Sequence, residues 1–134
     1  MRFVMLLAVA ALSACATPPA AVEQAPQAVG SAGLSGDWVV DLSTDPAQPY
    51  TQPMSLTLAA GGVVTGSFYN SEIEAGRWKA DRGRTCVSFR TTDGVGPYHT
   101  AACLDGGQVH GQTWAEHRNF LFNWNAVRPP TPQQ

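Results

Sequence analysis

The chain has 134 residues, which is enough for one domain, and carries ten acidic and eight basic residues for a net charge of −2. Only 13% of the residues are charged, and no basic stripe interrupts the sequence. This composition argues against nucleic-acid binding and against a polybasic membrane-surface patch. So few charges also leave room for an exposed apolar or aromatic binding face.

Residues 1–14 have the three-part pattern of a secretory signal peptide. One positive charge at Arg2 precedes an uncharged apolar run from Phe3 to Leu12, and small residues follow it. The run is too short to span a membrane as a helix. We therefore expect these residues to direct the chain out of the cytoplasm and to be removed.

The end of this segment, Leu12-Ser13-Ala14-Cys15, resembles the lipobox of bacterial lipoproteins. The resemblance implies cleavage before Cys15 and acylation of that residue with palmitate-like chains, and several chains together anchor a protein firmly. Ala16 follows where retained inner-membrane lipoproteins tend to carry Asp, which implies the outer membrane and a domain that faces the periplasm. An ordinary signal peptide followed by an unrelated cysteine is the alternative.

Two stretches without strand patterns flank the predicted domain. Residues 15–33 form a linker rich in Pro, Ala, Gln and Gly, and nothing in it can bury a core. Residues 129–134 contain three prolines and cannot continue a paired strand. The folded domain is therefore predicted over residues 34–128.

Two cysteines remain beyond the lipid anchor, Cys86 and Cys103. The turn sequence Asp93-Gly94-Val95-Gly96 lies midway between them, so the two should face each other on adjacent antiparallel strands. In an oxidising compartment this arrangement predicts a disulfide. A metal-binding or redox-active thiol pair is the alternative, although the chain lacks the C-x-x-C spacing typical of such sites.

Eight strands are predicted in the domain, and none of its stretches has a helical period long enough to matter. Alternation is clearest in the first, second and last strands, and glycine turns separate most of the others. On the first strand, Trp38, Val40 and Leu42 share one face. The predicted strands are Asp37–Leu42, Met54–Ala59, Val63–Tyr69, Ile73–Ala80, Thr85–Thr92, Tyr98–Leu104, Gln108–Glu116 and Asn119–Arg128.

Consecutive strands joined by short turns predict an all-β, antiparallel, up-and-down sheet. An open sheet of this size would expose two edges, and closure into a barrel removes them. A barrel of eight strands is just wide enough to be filled by side chains or to hold one small ligand. The short loops predict that any cavity is shallow.

Gly36-Asp37-Trp38 on the first strand, together with an Arg at the end of the last, resembles the shared signature of the calycin barrels. These comprise the lipocalins, fatty-acid-binding proteins and avidins. The resemblance implies that Trp38 closes one end of the barrel and that Arg128 packs over its ring, with Arg118 as the second candidate. Such a cation–π contact contributes about 1–2 kcal/mol.

Among calycins, the chain is most similar to the avidins, in four short segments. Avidins hold the ureido group of biotin with a polar residue beyond the last of these segments, where this chain has only Pro and Gln. The resemblance therefore implies the fold rather than biotin. The four segments are Leu34-Ser35-Gly36-Asp37-Trp38, Val64-Thr65-Gly66-Ser67-Phe68, Gln112-Thr113-Trp114 and Trp124-Asn125-Ala126-Val127-Arg128.

The residues that could carry chemistry form no catalytic pattern. His99, His110 and His117 have no spacing that would bring two rings and a third ligand to one metal. The glycines lie in turns rather than in a phosphate-binding loop between a strand and a helix. We therefore expect a protein that is not an enzyme and that uses no metal or cofactor.

Aromatic side chains recur across the strands and are the best candidates for a binding surface. We expect a small apolar or amphipathic ligand in the barrel mouth near Trp78, Tyr98 and Trp114, at the end opposite Trp38. An Arg at the mouth could capture a carboxylate or phosphate. The candidate ligand-binding residues are Phe68, Tyr69, Trp78, Arg90, Tyr98, Trp114 and Trp124.

A protein-interaction module is the alternative function, either a periplasmic protease inhibitor or a partner in envelope assembly. Inhibitors of the alkaline-protease type also begin their barrel with Ser-Gly-x-Trp, which here is residues 35–38. The barrel interior separates the two hypotheses. An interior packed solid by side chains favours protein interaction, and a hollow, lined interior favours a small ligand.

Overall fold

The structure is a computed structural model and describes residues 33–132. The predicted signal peptide at 1–14, the predicted anchor at Cys15 and the predicted linker as far as residue 32 lie outside the described residues. Within residues 33–132, no helix has the length and apolar character needed to cross a membrane.

The described residues are built almost entirely from antiparallel β-strands, which confirms the predicted all-β class. A single 3₁₀ turn, Glu116–Arg118, accompanies nine strands in this part of the chain. The strands are β1 (Gly36–Asp41), β2 (Thr51–Ala59), β3 (Val63–Phe68), β4 (Ser71–Glu72), β5 (Glu74–Asp81), β6 (Arg84–Thr92), β7 (Pro97–Asp105), β8 (Gln108–Ala115) and β9 (Phe120–Val127).

Eight of these strands close into a barrel. Among these eight, each strand pairs with the next one along the chain, with β3 pairing directly with β5, and the pairing of β1 with β9 closes the ring. The ninth strand, the two-residue β4, pairs only with β3. The predicted eight-stranded barrel is therefore confirmed, and its closure leaves no long strand edge unpaired.

The fourth predicted strand, Ile73–Ala80, is wrong in its detail. The chain turns sharply after β3, forms the short β4, and only then begins β5. The β5–β6 register shifts between Glu74 and Arg77, and Ala75 has a φ of 51°. A Cβ on Gly76 would lie 2.2 Å from the Val64 carbonyl oxygen, so only glycine allows this close approach of β5 to β3.

Alternation along the strands decides which side chains fill the interior. On β2, Met54, Leu56 and Leu58 are all nearly inaccessible to solvent, as predicted, and on β9 Trp124 and Ala126 face the same core. Burying each large apolar side chain contributes about 1.5–3 kcal/mol. This inner layer is the main source of stability for so small a domain.

Trp38 and Arg128 close one end of the barrel. The Trp38 indole is buried, and its N–H donates to the Leu34 carbonyl over 2.9 Å. The Arg128 guanidinium carbon lies 3.8 Å from the centroid of the Trp38 ring. The same guanidinium donates to the carbonyl oxygens of Gly33 and Ser35, both over 2.8 Å.

Gly36 is required by this closure. Its φ of 109° lies outside the range that other residues adopt easily, and a Cβ there would meet Arg128 Nη1 at 2.8 Å. Arg118, the second candidate for the arginine that packs over Trp38, lies at the opposite end of the barrel, where it bonds to Asp93. The structure thus brings together the Trp38–Arg128 pair that the resemblance implies.

Cys86 and Cys103 form the predicted disulfide. They are directly opposite partners in the β6–β7 ladder, and the turn after Thr92 lies midway between them. The symmetry of the hairpin therefore fixes the pairing, as the sequence indicates.

Replacing Trp38 by alanine should lower the free energy of unfolding by about 3–5 kcal/mol, because the cavity left under Arg128 cannot collapse. Trp114→Ala is the matched control, since Trp114 lies half-buried on the outer face and stacks on His99. Urea denaturation followed by circular dichroism measures both variants. A Trp38→Ala loss no larger than that of Trp114→Ala would contradict the assigned structural role.

Candidate mouth cavity

A cavity of about 700 Å³ opens at the end of the barrel opposite Trp38 and Arg128. It lies where β1, β3, β6 and β8 end and β2, β7 and β9 begin. The loop from Leu42 to Tyr50 borders one side of the mouth, and the β6–β7 turn borders the other. The barrel is therefore filled at one end and hollow at the other.

The walls of the cavity are mainly aromatic. Phe68 and Trp124 face inward and lie with their ring centroids 5.5 Å apart. Phe120 and Phe122 stack with centroids 6.1 Å apart, and Leu42 completes the apolar lining. Rings in these arrangements present flat, rigid apolar surface to the cavity.

The floor carries hydroxyl groups. Thr113 Oγ1 accepts a hydrogen bond from Trp124 Nε1 over 2.9 Å and shares another of 2.9 Å with Thr100 Oγ1. Thr91 also lines the cavity from β6 and is 6% exposed. The deepest part of the cavity is thus apolar in its walls and polar at defined points, as in many small-molecule sites.

Two tyrosines stand at the mouth. The hydroxyls of Tyr50 and Tyr69 are hydrogen-bonded to each other, and their rings meet edge to face with centroids 6.4 Å apart. That hydrogen bond, and secondarily burial, raises the pKa of Tyr69 above its ordinary value. Tyr69 and Asn70 both have positive φ values, 52° and 60°, which form the tight turn that aims the Tyr69 ring at the mouth.

A second set of polar contacts braces the opposite side of the mouth. We call it the mouth clasp: Asp93, Tyr98, His117 and Arg118. One oxygen of Asp93 accepts the Val95 and Gly96 amides, while the other accepts Arg118 Nε at 2.9 Å and Nη2 at 2.7 Å. Tyr98 and His117 donate to that second oxygen over 3.2 and 3.4 Å. The clasp joins the β6–β7 turn to the 3₁₀ turn before β9.

The charge of Asp93 is strongly stabilised in the clasp. The Val95 amide lowers the pKa of this carboxyl most, followed by the Arg118 guanidinium and the Gly96 amide, and it lies far below its usual range. The carboxylate is therefore ionised at any physiological pH and fully engaged. It is suited to holding two loops together rather than to accepting a proton.

Four of the seven predicted ligand-binding residues line the cavity: Phe68, Tyr69, Tyr98 and Trp124. They come from different strands and turns, and the closure of the barrel brings them together. The aromatic content of the chain was thus a useful signal for the site.

The other three predicted residues lie elsewhere. Arg90 and Trp114 point outward, because their neighbours Thr91 and Thr113 point inward and side chains alternate along a strand. Arg90 lies 3.8 Å from Glu74, and Trp114 stacks on His99 with centroids 5.4 Å apart. Trp78 packs against the closed end, where its N–H donates to the Ala59 carbonyl over 2.7 Å. The predicted grouping of Trp78, Tyr98 and Trp114 is wrong.

Sequence reasoning missed several residues of the site. Phe122 and Thr113 are direct cross-strand partners, and both follow from inward-facing Trp124 by alternation and register. That signal was present but needed the pairing of β8 with β9 to be used. Tyr50 lies in an irregular loop and Asp93 in a turn, where no periodicity indicates which way a side chain points.

The histidines serve structural contacts. His110 Nδ1 donates to Asn125 Oδ1 over 2.7 Å on the outer face, and His99 packs on Trp114. Within residues 33–132, no group of three or more His, Cys, Asp or Glu side chains is placed to hold a metal ion.

Comparison with protein-family models, with curated proteins and with solved structures finds no match to this chain. The closed eight-stranded barrel is consistent with a calycin-like fold. Function must therefore be inferred from the geometry of the mouth cavity itself.

Asp93→Asn should lower the melting temperature at neutral pH, because the amide keeps an oxygen for the turn amides but loses the ion pair with Arg118. The pKa of Asp93 is lower in the folded protein than in the unfolded chain. Its contribution to the free energy of unfolding is therefore fully present above the unfolded-state pKa of about 4, and it is lost as the pH falls through the folded-state pKa. The difference in melting temperature between wild type and Asp93→Asn should therefore become smaller as the pH is lowered.

Thermal unfolding across the acidic range tests this expectation. Asp45→Asn is the control, since Asp45 also caps a turn at the mouth, through the Ala47 amide, but forms no ion pair with a described residue. If the melting temperature of Asp93→Asn differs from that of wild type by the same amount at every pH, the assigned ionisation of Asp93 is wrong.

Proposed function

We propose that this domain is a non-catalytic binding module that holds a small apolar or amphipathic ligand in the mouth cavity. The observation that carries the proposal is the hollow end of the barrel, with a volume of about 700 Å³. Pockets of a few hundred to a thousand Å³ with apolar walls and few polar groups are typical of small-molecule sites. Since the interior is not packed solid, the geometry favours a small ligand over a protein partner.

The arrangement of the walls supports binding by a preformed site. The rings of Phe68 and Trp124 are held by packing, and Trp124 is also fixed by its hydrogen bond to Thr113. The mouth clasp ties the bordering turns together. A site that needs little ordering on binding loses less conformational entropy and binds more tightly.

The titratable groups of the mouth support a role without catalysis. Asp93 is engaged by four side-chain donors and turn amides and stays ionised, so it is a poor general base. Hydrogen bonding raises the pKa of Tyr69, which makes its hydroxyl a poor nucleophile.

Protein interaction is the second candidate function, and one observation favours it. Five of the seven large hydrophobic side chains exposed in the described residues lie at the mouth end of the barrel. Exposed apolar groups that cluster in this way often mark an interaction surface. The five are Tyr50, Tyr69, Val95, Phe120 and Leu121. A protease inhibitor or an envelope-assembly partner would use this rim.

We further propose that the domain is tethered to the outer membrane by acylated Cys15 and faces the periplasm. The support is the lipobox-like segment Leu12-Ser13-Ala14-Cys15 and the apolar run before it. The disulfide between Cys86 and Cys103 fits an oxidising compartment. The membrane is then a partner through the lipid, and no nucleic-acid partner is proposed.

Partly filling the cavity should weaken binding. In Thr91→Phe, the new ring projects into the cavity, whereas in Arg90→Phe, one residue earlier on β6, it projects outward. With Nile red as the probe, we expect fluorescence enhancement with wild type and Arg90→Phe, and affinity weakened about tenfold in Thr91→Phe, equivalent to about 1.4 kcal/mol of steric conflict.

Native mass spectrometry of the purified full-length protein gives a second readout for the same proposal. Retention of a small molecule by wild type, and its loss in Thr91→Phe, is the expected result. If wild type neither retains a molecule nor binds the probe, the small-ligand function is wrong and the exposed rim becomes the better lead.

Cys15→Ser should remove the lipid anchor, because acylation requires the thiol. We expect the variant to lose metabolic labelling with radioactive palmitate and to leave the membrane fraction. The double variant Cys86→Ser, Cys103→Ser is the control and should keep its label. Persistent labelling of Cys15→Ser would contradict the lipoprotein assignment.

A further inference from the structure

We infer that the end of the ligand that enters the mouth cavity first and lies on its floor is uncharged. This leading end carries a hydrogen-bond acceptor, such as a ketone, ester or amide carbonyl, that receives a hydrogen bond from Thr113. The inference rests on the proposed binding function and adds the chemical class of the ligand. It follows from where the hydroxyl protons of the cavity floor must lie.

The direction of the Thr100–Thr113 hydrogen bond is set by Thr100. This residue is 1% exposed, and its hydroxyl makes its one side-chain hydrogen bond within the described residues to Thr113 Oγ1, at 2.9 Å. Burying a hydroxyl proton without an acceptor is unfavourable. Thr100 is therefore the donor and Thr113 the acceptor.

Thr113 then has only a donor left to offer. Its oxygen already accepts the Trp124 indole N–H over 2.9 Å and now also accepts Thr100. A hydroxyl oxygen has two lone pairs and one proton, so both acceptor positions are used and the proton is free. Because Thr113 lines the cavity, that proton is available to a ligand and to no described protein group.

Thr91 adds a second hydroxyl to the same floor. It is 6% exposed, lines the cavity, and its hydroxyl forms no hydrogen bond with a described side chain or backbone group. No fully buried polar side-chain atom in the described residues is left without a partner, so this hydroxyl reaches the cavity space. The floor thus presents one forced donor and one free hydroxyl between aromatic walls.

The charges at the cavity exclude an anion as the leading group. Asp45 and Asp93 are the charged residues among the cavity-lining residues, and no Lys or Arg in the described part of the chain lines it. Arg118 lies beside the mouth, but two of its nitrogens bond to Asp93. A carboxylate on the floor would lose its hydration and gain no cation in return.

Three naphthalene probes of similar size and shape test the inference on the full-length protein: acetylnaphthalene, ethylnaphthalene and naphthoate. They share the apolar body and differ in having a neutral acceptor, no acceptor, or a negative charge. By isothermal titration calorimetry we expect acetylnaphthalene to bind about fivefold more tightly than ethylnaphthalene, as for one added hydrogen bond. Naphthoate should bind more weakly than acetylnaphthalene, by a factor of about ten or more.

Variants assign the effect to the floor. Thr113→Val should remove the preference for acetylnaphthalene over ethylnaphthalene, while Thr113→Ser, which keeps the hydroxyl, should retain it. Thr91→Val breaks no hydrogen bond of the described protein and should reduce the preference by a smaller factor. Circular dichroism verifies that each variant is folded, and the preference is the ratio of the two affinities measured within the same variant.

A measurement on wild type alone keeps the inference testable if Thr113→Val does not fold. The carbonyl stretch of bound acetylnaphthalene should shift to lower infrared frequency than in hexane, as a hydrogen-bonded ketone does. A stretch at the hexane position, equal binding of naphthoate, or a preference that survives both valine variants would overturn the inference. If none of the three probes binds while Nile red does, or if all three bind equally, the inference alone is wrong. If neither the three probes nor Nile red binds, the proposed function fails as well.

Discussion

Closure of the barrel at the Trp38–Arg128 end is the constraint on which the rest of the structure depends. The guanidinium over the indole ties the residue after β9 to β1 and to the backbone that precedes it. The large apolar side chains of β2 pack in the same core cluster as Trp38 and help to fill the interior at this end. The opposite end of the barrel then has to be lined by what remains, which is aromatic rings and threonines.

Much of the fold follows from local pattern, because alternation and turn residues are read within one strand or hairpin. The inward faces of β1 and β2 and the pairing of Cys86 with Cys103 required no knowledge of distant contacts. Predicting the break between β4 and β5 does require a distant contact, because the break depends on the close approach of Gly76 to the Val64 carbonyl of another strand. The only sign of such a close backbone contact in the sequence is a glycine. Because glycines also occur in turns and bulges, a glycine alone does not predict the contact.

The candidate site was harder to predict than the fold, and the reason is physical. An error of one residue in which face of a strand is inside moves a side chain from the cavity to the solvent. For this reason the sequence predicts Trp114 and Arg90 in the cavity in place of their neighbours Thr113 and Thr91. Hydrophobic residues also dominate any search for an apolar site. Threonine alternates as readily inward as outward, so its role on the floor emerges only from the register of β7, β8 and β9.

Thr113 shows how stability and binding share one residue. Its oxygen fixes Trp124 in the wall and satisfies the buried hydroxyl of Thr100, and both are folding requirements. Meeting them uses the two acceptor positions and leaves a single proton with one direction to go. The protein therefore need not evolve a separate polar group for its ligand, because the hydrogen-bonding order of the core already determines that the floor donates.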